Sequence, residues 1–248
     1  MRKNNTKKND EIIVQSFNAK NRTVSDEHLT AIFAEVGERY GYKKVAAEFV
    51  GFADFKIRWR RAPGKIEVEV SDYLDRAPDE ALYNLAERMF AGLTGDYTIE
   101  FGEDFVRHVT DPKIYKDNQQ DYISRSPSFT GNSIGDFHDL NDCVDRLRGQ
   151  NLIPDDLVCL LTWDRDSYIR AAGHAILQRT VWVNKALDRK GVPEHVLDFC
   201  VYHEMCYLIV GFRNGDVEAV AAAARKLQKM HPMYEQSLDW LENEGLEI

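Results

Sequence analysis

Two stretches of this chain share one grammar, which restricts the folds open to it more than any other feature. The first runs Val68-Glu69-Val70-Ser71-Asp72-Tyr73-Leu74-Asp75-Arg76, then Ala77-Pro78 and on to Leu82. The second runs Val181-Trp182-Val183-Asn184-Lys185-Ala186-Leu187-Asp188-Arg189, then Gly191-Val192-Pro193 and on to Leu197, with two residues inserted. The valines, the Leu-Asp-Arg triplet, the proline and the following leucine coincide. Alternating valines describe a strand with one buried face, and a proline in the first turn opens a helix. Such an arrangement is common by itself, so the Leu-Asp-Arg match in register is what argues for duplication. The repeat predicts an α+β fold of two similar halves, each a small sheet or hairpin packed on a helix. Counted from the proline, Arg88 and Met89 of the first copy stand where the second has His203 and Glu204.

Around these copies the remaining elements follow from pattern. Residues 1–22 are polar and mostly basic without apolar periodicity, and are expected to form a loose tail. Ser25 ahead of Asp26 and Glu27 reads as an N-cap, and Leu29, Ile32, Phe33 and Val36 recur at helical spacing to about Tyr40. A short helix is expected over 43–49. Phe55, Ile57 and Trp59 alternate with Lys56, Arg58 and Arg60, and Ile66, Val68 and Val70 with Glu67 and Glu69, about a turn at Pro63-Gly64. That is a β-hairpin with one buried face. A further strand is expected over 97–101. Residues 111–133, rich in Asp, Asn, Gln, Ser and Gly, read as a linker loop between a half spanning 23–110 and one spanning 134–248. Helical spacing covers 134–147. Strands are expected over 157–163, 168–172 and 178–183, then a helix from Pro193 to Gly211 and a C-terminal helical region over 216–244.

Composition bounds the class. With 44% apolar and 29% charged residues the chain can build a core and stay dissolved. No apolar run reaches the roughly 18–20 residues of a membrane span. A formal charge of −9 opposes a general nucleic-acid binder. The four cysteines form no CxxC pair, as expected of reduced thiols in a cytoplasmic protein.

The second copy's helix carries His203-Glu204-Met205-Cys206-Tyr207, one residue from HExxH. In HExxH two imidazoles four residues apart converge on one zinc, and the glutamate acts as general base. Here Tyr207 occupies the second histidine's place. A phenol, with a reference pKa of about 10, is the weaker ligand. Cys200 lies one turn before His203 and offers a rebuilt ligand set. His231, His174 and His195 are the further histidines from which a third ligand would come.

The run RTVWVNKALDRKGVPEHVLDFCVYHEMCY resembles the SprT-like and related small gluzincin peptidases, whose strand and turn lead into a helix reading HEMxH. The closing HPMYEQSLDWLENEG resembles the terminal helix of archaeal-type members, with its FPxYEEAxxWL pattern, so the likeness covers about residues 156–245. The hairpin FKIRWRRAPGKIEVEVSDYL is more loosely similar. The resemblance implies two zincin-like halves, His203 as the first zinc ligand and Glu204 as the base. Tyr207 departs from the pattern. If HPMYEQ aligns with FPxYEE, the family's third histidine falls near Val220.

The expectation is therefore a degenerate metallopeptidase-like protein, catalytically inactive and bound to an unknown protein or peptide. No cofactor is expected. A zinc peptidase with an altered set, His203, Tyr207 and His231 as ligands and Glu204 as base, is the alternative, with zinc as its cofactor. A third reading is a nucleic-acid surface at Lys56, Arg58, Trp59 and Arg60, which alternating charge on a hairpin makes less favoured than a solvated face.

Overall fold

The computed structural model describes residues 23–166, 168–213 and 216–248. The expected tail, 1–22, lies outside them. The chain divides into two compact units, Met1–His108 and Val109–Ile248. Among the described residues it is mixed α and β, with two three-stranded sheets.

In the first unit α1 (Asp26–Arg39) leads to β1 (Lys44–Val50), β2 (Ile57–Ala62) and β3 (Lys65–Ser71). A 3-10 turn over Asp72–Leu74 then leads to α2 (Asp79–Leu93) and α3 (Glu103–Val109). The sheet order is β1-β3-β2, with β1 parallel and β2 antiparallel to β3. Ser25 caps α1 by accepting the His28 amide, as its sequence predicts. Ile66, Val68 and Val70 are buried, as are Leu29, Ile32 and Phe33 of α1 and Leu82 and Phe90 of α2. The opposite sheet face carries Arg58 and Arg60 across from Glu69 and Glu67.

Two expectations fail here. Residues 44–50 form strand β1, because Lys44 to Val50 pairs in register with Lys65 to Ser71; sheet pairing overrides the local helical pattern. Residues 97–101 form no strand. Phe101 instead stacks on Phe105 of α3, ring centroids 4.6 Å apart.

The second unit repeats the plan. After α4 (Pro112–Ser124) come α5 (Leu140–Gly149), β4 (Leu160–Asp164), β5 (Ala172–Ala175) and β6 (Thr180–Asn184). A 3-10 turn over Lys185–Leu187 follows, then α6 (Glu194–Val210), α7 (Val217–Gln228) and α8 (Tyr234–Asn243). The order is β4-β6-β5, with β4 parallel and β5 antiparallel to β6. Helix, strand, hairpin, 3-10 turn and helix thus recur with one topology. The repeated leucines, Leu74 and Leu187, are each 1% exposed and plug the core at the 3-10 turn. Pro78 and Pro193 each stand at the residue before their helix, and their carbonyls accept the amides of Ala81 and Val196.

Residues 111–133 are not a linker loop. Asp111 caps α4 at Lys113, with Pro112 in the first turn. The polar stretch beyond lies along the open edge of β4. Thr130 donates its amide to the Trp163 carbonyl (2.9 Å), Arg165 to that of Ser128 (3.0 Å), and Gly131 to the Thr162 hydroxyl (3.1 Å). Polar composition reads as linker, yet here it satisfies a strand edge. Helix α5 begins at Leu140 rather than 134, because residues 134–139 make a turn closed by an Ile134–Asp139 bridge. Asp188 holds that turn, accepting the amides of Asp136, Phe137 (3.0 Å) and His138 (2.9 Å).

Helix α6 is mostly apolar and largely buried, Asp198 and Glu204 included. It packs on β5 and β6 and is flanked by α5, α7 and α8. Asp198 of α6 is paired with Arg146 of α5 at 2.7–3.1 Å through two guanidinium nitrogens.

Candidate functional site

The repeated frame places one polar cluster at the middle of α6. Strand β6 is buried on both faces along Thr180–Asn184 except at Trp182. Its antiparallel partner β5 sets His174 opposite Val181. Because side chains alternate along a strand, His174 points to the face that covers α6. It meets Glu204, whose carboxylate receives the His174 Nδ1 on one oxygen and the His203 Nδ1 (2.8 Å) on the other. The Tyr207 ring stacks on His174, centroids 4.1 Å apart and planes 16° apart. The side chains of His174, His203 and Glu204 are 23%, 14% and 5% exposed, so the carboxylate is sealed beneath two partly open imidazoles.

Burial alone would raise the Glu204 pKa. The hydrogen bonds and charge of His174 and His203 outweigh it and bring the group to about 2. The carboxylate is therefore ionised and accepts both Nδ1–H groups, which leaves each ring's Nε2 outside these two hydrogen bonds. Such a carboxylate-oriented imidazole pair has the form in which Nε2 can ligate a metal with Glu204 as the outer partner. A glutamate with both oxygens taken and a pKa of about 2 is a poor general base near neutral pH.

Of the residues singled out in the sequence, His203, Glu204, Tyr207 and His174 come together. His231 does not join them. It is 5% exposed among the rings of Phe199 and Tyr202, and its Nδ1 accepts the Met233 amide at 3.3 Å. Burial lowers its pKa, so it is a neutral histidine fixing the turn before α8. Burial raises the Cys200 thiol well above its ordinary value and the Cys206 thiol to about 12, so neither is a ready thiolate. Gln228, itself buried, donates to the His203 carbonyl at 3.1 Å and ties α7 to the site. Among the described residues no three His, Cys, Asp or Glu side chains are placed to hold a metal ion.

His174, one of the further histidines named from the sequence, arrives from the edge strand β5.

The basic residues of the hairpin lie among acidic ones. Arg58 is paired with Glu69, Arg60 lies across from Glu67, and Lys56 is 4.0 Å from Asp54. Trp59, 46% exposed, points to the other face of the sheet. Arg58, Trp59 and Arg60 nevertheless line one cavity of about 560 Å³ together with Glu48, Glu67 and Glu69, so acidic side chains accompany the cations there. Comparison of the chain with family models, with curated proteins and with solved structures finds no match.

Proposed function

We propose that this is a degenerate zinc-metallopeptidase-like protein that binds a protein or peptide partner and does not cleave it. The observation that carries the reading is the state of Glu204. In a working HExxH helix that carboxylate is free to take a proton from a metal-bound water. Here both oxygens are engaged by imidazole Nδ1 atoms, and the group sits near pKa 2. The donor set also fits zinc poorly. At the site the helix offers one imidazole, that of His203, Tyr207 lies flat on His174, and His231 is held elsewhere. A closed zinc site needs four ligands, and a catalytic one three protein ligands and water.

One observation favours the second reading, a metal-dependent peptidase with an altered ligand set. His174 supplies the second imidazole that the helix lacks. Metal content of the purified protein, with His203→Ala and His174→Ala beside it, separates the two. The binding reading expects sub-stoichiometric zinc in all three proteins and no peptide hydrolysis. One zinc per chain in the parent, lost in both variants and accompanied by hydrolysis, would establish the peptidase instead.

A further inference from the structure

Counting along the two proline-led helices aligns Gly92 with Tyr207, as it aligns Arg88 with His203 and Met89 with Glu204. The hairpin registers align Trp59, opposite Val68, with His174, opposite Val181. In the second unit the Tyr207 ring lies against His174. In the first unit glycine supplies no ring, and a cavity of about 350 Å³ opens there. Its walls are Trp59, Leu85, Met89, Tyr97 and Phe101, with Gly92 at its floor. The Arg88 guanidinium also lines it, 5.9 Å from the Phe101 ring centroid.

The cavity lies beside a strand edge. Strand β2 is outermost in the order β1-β3-β2, and among the described residues no segment pairs with its outer side. The second unit shows what such an edge accepts. Just before β5, Ala171 donates its amide to the Glu247 carbonyl, and Glu247 to that of Ile169, both at 2.7 Å. The pairing segment, Leu246-Glu247-Ile248, is acidic and apolar, and Leu246 and Ile248 pack on the core. The free edge in the first unit is IRWRRA. Arg61 shares the Trp59 face by alternation, and Arg88 flanks the cavity. A second copy of this strand would set like charges across the pair, which is unfavourable, whereas an acidic strand would not.

We propose that the first unit binds an extended acidic–apolar segment of a partner protein, added as a strand to the outer edge of β2, with one large apolar side chain in the Trp59–Met89–Gly92 cavity. Main-chain pairing supplies the grip, and the cavity with Arg61 and Arg88 supplies the choice of sequence. This rests on the binding reading given above but uses none of the histidines. Zinc-dependent hydrolysis would overturn that reading and leave the cavity untouched.

The test is a titration of the full chain with acetyl-Asp-Glu-Val-Phe-Val-Glu-Asp-amide, followed by amide and indole chemical shifts. Residues 57–62 and the Trp59 indole are expected to move. Gly92→Tyr imports the second unit's ring into the cavity and replaces glycine with a better helix former, so the helix is kept. Filling the aromatic slot is expected to weaken binding about tenfold or more. Trp59→Ala, and a probe with lysine for each acid, are expected to weaken it likewise. Absence of shifts in the parent, equal affinity in Gly92→Tyr, or self-association through β2 in place of peptide binding would each overturn the proposal.

Discussion

The two units place the same backbone plan in different surroundings, most plainly at the outer face of each sheet. In the first unit Arg58 and Glu69 form an ion pair there, open to water. At the same register the second unit has Gly173 and Trp182. A Cβ on Gly173 would lie 2.1 Å from the indole, so the ring lies directly over the glycine. Phe129, from the segment laid along β4, packs near that indole with ring centroids 6.4 Å apart. The frame fixes where a side chain points. What covers that face decides whether it carries charge or bulk. The inner face shows the same rule, with Trp59, Arg88, Met89 and Gly92 around a cavity and His174, His203, Glu204 and Tyr207 around a closed polar cluster.

The comparison is most exposed at Leu74 and Leu187, which the repeat makes equivalent. Both are fully buried, so Leu74→Ala and Leu187→Ala are each expected to cost about 2–5 kcal/mol in denaturant unfolding. Costs differing by more than ~2 kcal/mol would show that the shared frame is not shared energetics.

Asp188 is the next test, because its turn belongs to the second unit's added segment. Burial opposes its ionisation, but Lys185 and the amides of residues 136–138 hold its pKa below the ordinary carboxylate value. A depressed folded-state pKa contributes stability above the unfolded value of about 3.9, lost as pH falls through the folded one. Asp188→Asn is therefore expected to lower stability at neutral pH by roughly 1–3 kcal/mol and to flatten its fall below about pH 4. An unchanged acid limb would deny Asp188 that role.

The smallest effects separate the outer faces. Gly173→Ala drives a methyl into Trp182 and is expected to cost about 1–3 kcal/mol, read as a lower unfolding midpoint. Arg58→Ala, at the matching position, removes an exposed ion pair and is expected to leave the midpoint within error of the parent. A large loss in the latter would mean that the first sheet's outer face is covered in solution.

Much of this was legible in the chain. Valine alternation, the Leu-Asp-Arg triplet and the two prolines announced strand, turn and helix in both copies, because these signals are local. Strand β1 was not legible, since KVAAEFV becomes a strand only through its parallel pairing with β3. The polar run beyond residue 111 was misread for a related reason. Its groups satisfy an edge of β4 that lies some thirty residues further along the chain.

The site divides in the same way. His203, Glu204 and Tyr207 were fixed by spacing on one helix, and with them the departure from HExxH. That Glu204 is bound by two imidazoles, that His174 is one of them and that His231 is not, were decided by the hairpin register and by the packing of α7 and α8 on α6. Periodicity is a property of neighbours in the chain. The protonation of a buried carboxylate depends on neighbours in space, and only the tertiary structure brings those to it.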